Sequence, residues 1–189
     1  MQTEVYGVSG YNGNGQFGLG YTNSIGVPQH MRNEDNTAVL YGVKKVSAGA
    51  IHTLLALEDG SALSVGYNGY GALGIGNTTE QHLPVQMVDK DGNNISNVKD
   101  VSANGYSSIV SVEKQDKIND EGETVSEAGI YVAGYNNYGQ LFTKDTVQRN
   151  SLELVQTDKN IITMASTRNV SYQTSAIADD LGLVYTVRI

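Results

Sequence analysis

The chain has three histidines. His30, His52 and His82 are scattered, and no acid or second histidine stands beside any of them at the spacing that lets two side chains grip one metal ion. Oxygen ligands are better grouped. Asp89, Asp91, Asn93 and Asp100 fall at positions 1, 3, 5 and 12 of a calcium-loop register. Position 6 of that register is Asn94 where the loop needs glycine, so a solvated turn at Lys90-Asp91-Gly92-Asn93 accounts for the same residues. Two G-x-G-x-x-G runs, at Gly13, Gly15, Gly18 and at Gly69, Gly71, Gly74, could cradle a pyrophosphate if a helix began there to point its amide groups at the ligand. The first run leads into Tyr21-Thr22-Asn23-Ser24 and the second into Asn77-Thr78-Thr79, neither with a helical pattern, so no nucleotide cofactor is expected. No serine sits in a G-x-S-x-G elbow and no pair of carboxylates is set apart by its surroundings. The chain has no cysteine, which excludes thiolate chemistry and disulfides. The residues therefore point to a non-enzyme without a cofactor. Asn77-Thr78-Thr79, Asn94-Ile95-Ser96 and Asn169-Val170-Ser171 fit glycosylation acceptors, a pattern too common to carry an argument.

The elements that would hold such residues are short strands. Glycine numbers 22, tyrosine 12 and proline 2 in 189 residues, a balance that suits pleated strands joined by turns of positive φ. With 39% hydrophobic residues the chain can bury the core of one domain. The formal net charge of -8 repels phosphate backbones and anionic lipid, so nucleic acid is not an expected partner. No apolar stretch is long enough to span a bilayer and the first thirty residues show no leader pattern, so a soluble chain without membrane insertion is expected.

One segment occurs three times: Val8 to Gly20 (VSGYNGNGQFGLG), Val65 to Gly76 (VGYNGYGALGIG) and Val132 to Lys144 (VAGYNNYGQLFTK). In each copy a glycine (Gly10, Gly66, Gly134) precedes a tyrosine (Tyr11, Tyr67, Tyr135) and an asparagine (Asn12, Asn68, Asn136). Gly15, Gly18 and Gly20 recur as Gly71, Gly74 and Gly76; in the third copy Gly139 remains, while Phe142 and Lys144 stand where the later glycines stood. Between the copies lies a two-strand element at Val43 to Leu57, Val98 to Val112 and, more loosely, Ile161 to Ile177. A tight turn at Glu58-Asp59-Gly60 leads from it into Ala62 to Gly66, a strand that recurs as Glu4 to Gly10, Ile130 to Gly134 and Leu183 to Val187. Three units result, approximately 4–66, 67–134 and 135–189, in one repeat domain. The longer second spacing reflects Glu113 to Ala128, a polar insertion at a hairpin tip that is expected to be mobile.

These residues resemble the repeats of the regulator of chromosome condensation family, which pair a W-G-x-N-x-x-G-Q-L-G-x-G motif with a V-x-x-V-x-A-G-x-x-H-T-L-A-L-x-x-D-G motif. Val43 to Gly60 is similar to the second, and Tyr11 to Gly20 and Tyr67 to Gly76 to the first, with tyrosine in place of tryptophan. The resemblance extends over essentially the whole chain, although the last unit lacks the Ala-Gly-His signature. It implies an all-β fold, a partial β-propeller of about three blades of antiparallel four-stranded sheet, in which the repeated glycines are structural. His52 stands where the repeat carries histidine and is expected to hydrogen-bond within its own blade. Tyr11, Tyr67 and Tyr135 would fill gaps between blades, leaving Tyr70, Tyr106 and Tyr138 as the better candidates for exposure.

Family members are rings of blades that bind other proteins, so the resemblance implies a non-catalytic interaction or scaffold module whose partner is another protein or a further copy of itself. The acidic balance speaks against chromatin docking, and the absence of tryptophan against a tryptophan-based light sensor. A carbohydrate-binding module using surface tyrosines and asparagines is the alternative, and an enzyme with a site at the ring centre the least favoured reading. An acidic, asparagine-rich repeat without cysteine is expected in an extracellular or cell-surface module of a longer protein, such as a bacterial surface protein. Three units also leave blade faces unburied unless more blades or a second copy cover them.

Overall fold

The structure, a computed structural model, describes residues 7–118, 124–156, 161–166, 175–179 and 181–186. Thirteen strands are found there and no helix. They are β1 (Gly7–Gly10), β2 (Ile25–His30), β3 (Val43–Ala48), β4 (His52–Leu57), β5 (Ala62–Gly66), β6 (Gln81–Gln86), β7 (Val98–Ala103), β8 (Ser107–Ile118), β9 (Thr124–Gly134), β10 (Arg149–Gln156), β11 (Ile161–Ser166), β12 (Ser175–Asp179) and β13 (Val184–Thr186). All pairings between them are antiparallel.

Strand order divides them into four consecutive sheets: β1-β2, β3-β4-β5-β6, β7-β8-β9-β10 and β11-β12-β13. Two complete four-stranded blades are thus flanked by a two-stranded and a three-stranded sheet. The sequence repeat is out of phase with the blades, because the glycine-tyrosine-asparagine segment is the connection from the third strand of a blade to its fourth. Gly66 and Gly134, where the sequence units meet, therefore lie inside sheets, paired with Gln81 and Arg149 respectively.

The packing explains why the strands read as near-continuous apolar runs. Each complete blade is covered on both faces, so β4 and β5 are buried almost throughout. Three apolar clusters fill the three gaps between successive sheets. Met31, Val43, Leu55, Leu63 and Val65 form the first. Leu54, Met87, Val101, Val110 and Leu152 belong to the second, and Ile109, Ile130, Val132, Leu141, Ile161 and Ile177 to the third. Adjacent Leu54 and Leu55 point to opposite gaps, as the two-residue period of a strand demands. The first strands of neighbouring sheets touch, β3 with β7 and β7 with β11, as blades about a common axis do. Val46 on β3 is exposed, whereas its counterpart Val101 on β7 is buried, since among the described residues the sheet before β3 contributes only β1 and β2.

The local expectations meet this fold in most places. The turn at Glu58-Asp59-Gly60 is present: Gly60 has φ +87° and donates its N–H to the Leu57 carbonyl at 3.0 Å, while the Asp59 carboxylate accepts from the Ser61 N–H at 2.9 Å. The insertion is more extensively paired than its polar sequence suggests. It lies at a hairpin tip as expected, with 119–123 outside the described residues, but β8 and β9 continue into it past a bulge after Val112, pairing Gln115 with Glu127, Asp116 with Ser126, Lys117 with Val125 and Ile118 with Thr124. A hairpin ladder is held by backbone groups and extends wherever the chain stays extended, whether or not its side chains are polar. Glu4 to Tyr6, the Asn169-Val170-Ser171 triplet and Val187 lie outside the described residues.

Candidate functional site

The three repeated connections share one internal clamp. Asn68, fully buried, donates its side-chain amide to the carbonyls of Asn77 at 2.9 Å and Thr79 at 3.1 Å, and its Oδ1 accepts from the Leu73 N–H at 2.9 Å. Asn12 does the same with Tyr21, Asn23 and Phe17, and Asn136 with Asp145, Val147 and Leu141. A short polar side chain with two donors and an acceptor thus ties a ten-residue excursion to its own start. The backbone that results needs positive φ at three places, which Gly71 (+73°), Gly74 (+61°) and Gly76 (+82°) supply in the second copy. In the third copy Gly139 has +68°, and Phe142 and Lys144 take +62° and +61°. The glycines that the third copy lacks are absent in composition only; the backbone path is kept.

These connections bring tyrosines together at one end of the sheets. Gly66 pairs with His52 and Gly134 with Ser107, so the loops after β5 and β9 emerge beside the β3–β4 and β7–β8 turns. Tyr67 and Tyr70 come from the first loop, Tyr106 from the β7–β8 turn, and Tyr135 and Tyr138 from the second loop. Their rings form one connected array across two blades. Tyr106 lies between Tyr67 (ring centroids 5.7 Å apart) and Tyr70 (4.8 Å), Tyr67 meets Tyr70 at 6.1 Å, Tyr70 meets Tyr135 edge-on at 5.1 Å, and Tyr135 meets Tyr138 at 6.0 Å. Tilted and edge-on contacts at these distances suit the ring quadrupoles. Tyr138 is 46% exposed, and the other four are half-buried. Burial, reinforced by the neighbouring phenols and by Glu80, pushes the Tyr67 hydroxyl above its ordinary pKa, so it stays protonated.

Charge is sorted between the two ends of the blades. Residues 10–20, 49–51, 66–79, 104–106 and 134–143 contain no Asp, Glu, Lys, Arg or His. The turns at the other end hold Glu58, Asp59, Lys90 and Asp91. Glu80 borders the tyrosine end and is held there by Asn14 at 3.0 Å and His82 at 2.8 Å.

Several expected roles change. Tyr11 does not fill a gap between blades; it is 65% exposed. Tyr67 and Tyr135 pack against other rings, and Tyr70 and Tyr106, expected to be exposed, are half-buried by the same contacts. His52 is buried and hydrogen-bonded, but its partner is in the next blade and not in its own. Ser108 Oγ donates to the Ala72 carbonyl at 2.6 Å, so the His52 Nε2–H donates to Ser108 Oγ at 3.0 Å, joining two sheets. Burial, opposed by a backbone hydrogen bond at Ser107, lowers the His52 pKa to about 4 and keeps the ring neutral. The calcium register is not assembled. The Asp89 carboxylate accepts from the N–H groups of Asp91 and Asn93, each at 2.9 Å, closing the solvated turn, while Asp100 sits on β7 and accepts from Val101. Among the described residues no three His, Cys, Asp or Glu side chains gather as a metal site. Asn104, which carries no repeat signature in the sequence, is fully buried in the β7–β8 turn and donates to Ser107 Oγ at 2.9 Å and Ser175 Oγ at 2.8 Å, linking the last two sheets.

With this geometry in view, the Regulator of chromosome condensation (RCC1) repeat profile matches residues 5–56 and 59–110. The Ultraviolet-B receptor UVR8 of Arabidopsis thaliana is 33% identical over 132 residues, 70% of this chain and 26% of that protein. Among solved structures, human WBSCR16 matches with a TM-score of 0.65 at 21% identity, over 94% of this chain and 41% of that one. Prp20p of Saccharomyces cerevisiae, which has binding properties towards Gsp1p and histones, matches with 0.64 at 17% identity, over 98% and 41%. Yeast RCC1 (Prp20) bound to Kap60 matches with 0.66 at 18% identity, over 98% and 40%. The chain spans about a quarter of the length of the curated relative and two fifths of the structural neighbours, and at these identities the structural likeness is one of fold, the β-propeller.

Proposed function

Because the chain belongs to the regulator of chromosome condensation (RCC1) repeat family, we propose that it is a protein-interaction module that binds its partner through the tyrosine end of its blades. The observation that carries this reading is the connected array of Tyr67, Tyr70, Tyr106, Tyr135 and Tyr138 on segments, 66–79, 104–106 and 134–143, that bear no charge. Tyrosine gives a large amphipathic contact at low entropic cost, and glycine and asparagine supply adaptable backbone around it, which is the composition of loops that evolve to bind proteins. An uncharged surface also loses little when water is displaced from it. Protein partners accompany the structural neighbours: Gsp1p and histones for Prp20p, and Kap60 for yeast RCC1.

The carbohydrate alternative draws on tyrosines together with asparagines. Its support is weakened by the clamp, since Asn12, Asn68 and Asn136 are fully buried and spend their amides on the chain's own carbonyls. Rings alone can stack on sugars, but the hydrogen bonds that would select one must come from elsewhere.

The test is a paired capture from the source cells. Tyr70→Ser with Tyr138→Ser should lose proteins that the unaltered chain retains, and Glu58→Ser with Asp59→Ser, at the opposite end, should keep them. Equal retention by both variants would refute the assignment to this end. Light scattering of the same samples tells whether the partner is a second copy, in which case a concentration-dependent dimer disappears with the tyrosine variant alone.

A further inference from the structure

The rings and the distribution of charge together bear on what kind of segment the partner presents. We infer that the tyrosine array receives cationic side chains, so that the partner docks an arginine- or lysine-bearing peptide segment on it; this rests on the tyrosine end being the binding surface.

Each tyrosine ring carries negative potential on its face, which attracts an ammonium or a guanidinium. Five rings in contact across two blades multiply such faces within the reach of one short segment. The segments that carry the rings, 66–79, 104–106 and 134–143, contain no Lys or Arg; Lys144, later in the last loop, is exposed. At the border of the array, Arg149 is already engaged with Asp145 at 2.7 Å and with Glu153. An acid at the border of the array, Glu80, is felt by the Tyr67 phenol. Beyond the array the whole chain carries a formal charge of -8, so its field draws cations in and repels acidic segments. A guanidinium is the best fit of the two cations, because it is weakly hydrated and its plane stacks on a ring. Acidic turns at the far end attract the partner from a distance, and the uncharged aromatic end is where a cation loses least by shedding water.

The experiment uses the full chain and a fluorescent peptide of alternating arginine and glycine, read by anisotropy and by the tyrosine ring signals in NMR at about 0.15 M salt, where exposed charge alone is largely screened. The peptide should bind and shift the ring signals. Tyr70→Leu with Tyr138→Leu, which keeps apolar bulk and removes the quadrupole, should weaken binding by about tenfold, while the corresponding phenylalanine pair stays within about twofold. Should the double variant fail to fold, Tyr138→Leu alone, at the most exposed ring of the array, is expected to weaken binding by about threefold. Equal binding by the leucine and phenylalanine variants would overturn the inference, showing that the net acidity alone attracts the peptide. Silent ring signals with the peptide but shifts with cellohexaose would also overturn it, in favour of a neutral glycan. If the arginine peptide does not bind while partner capture still depends on Tyr70 and Tyr138, the inference fails and the protein-binding reading stands.

Discussion

The connections 67–76 and 135–144 leave their blades by the same path with different residues. In the first, Gly74 and Gly76 have φ +61° and +82°; in the second, Phe142 and Lys144 have +62° and +61°. Both close the same three bonds from a buried asparagine, Asn68 or Asn136. The difference teaches that glycine relaxes this backbone but does not dictate it. A non-glycine residue with positive φ costs about 1–2 kcal/mol, and the third connection carries two. What offsets the strain is visible. Phe142 packs against the cluster of Ile109, Leu141 and Ile161. Asp145 adds a bracket of its own, accepting from Asn136, from Thr143, from the Val147 N–H and from Arg149.

Breaking the clamp is the largest test of that comparison. Asn68→Ala leaves the Leu73 N–H and two carbonyls without the amide partner, which at about 1 kcal/mol or more per group amounts to about 3 kcal/mol. Asn136→Ala should cost about 1 kcal/mol more, because its connection also contains two residues that prefer negative φ and would spring away once released. Urea unfolding of the two variants reads the difference. Equal costs, or a larger cost at Asn68, would mean that Phe142 and Lys144 hold their conformation without the clamp.

How much of this was legible depends on where the interactions reach. The strands, the turn at Gly60 and the repeated Gly-Tyr-Asn segment are local patterns, and they read correctly. That Asn68 is a clamp is half legible: its recurrence as Asn12 and Asn136 marks it, but the acceptors nine and eleven residues on are set by the folded loop. The array was not legible, since Tyr106 joins Tyr67 from a separate turn in the next blade. His52 likewise bonds to Ser108, 56 residues away, so its role between blades depends on how sheets stack. The extent of the β8–β9 pairing was not legible for a different reason: Glu113 to Ala128 is a largely polar stretch, and a ladder held by backbone groups leaves little trace in hydrophobic pattern.

Exchanging residues between the two connections sharpens the comparison at smaller cost. Gly76 has open space around it, with Val88 Cγ2 at 3.9 Å the nearest atom to an added Cβ, so Gly76→Lys isolates the backbone penalty. It should destabilise by about 1 kcal/mol. Lys144→Gly should stabilise, by about 0.5 kcal/mol, because relief of strain slightly exceeds the extra freedom glycine gives the unfolded chain. The two shifts must have opposite signs in thermal melts. If both destabilise, the Lys144 side chain makes a contribution that outweighs its backbone strain.

The smallest effect is expected at Asp145, and it separates the two connections by pH. The Arg149 hydrogen bond first, then the Val147 N–H, lower its pKa from 3.8 to about 2, so the folded chain favours the ionised carboxylate. Because the folded value is the lower one, this stabilisation is complete above pH 4 and is lost as pH falls from about 4 towards 2. Asn77, at the matching position of the other connection, already caps the Thr79 N–H at 2.8 Å with a neutral amide. Asp145→Asn therefore turns one connection into the other at this point: the cap on Val147 stays and the ion pair goes. Melting temperature should decline less steeply below pH 4 in the variant than in the unaltered chain. The difference is small because the carboxylate is open to solvent, where ion pairs contribute little. Identical acid profiles would show that the bracket around Asp145 holds through its hydrogen bonds alone, and that the third connection rests on its asparagine and on the packing of Phe142.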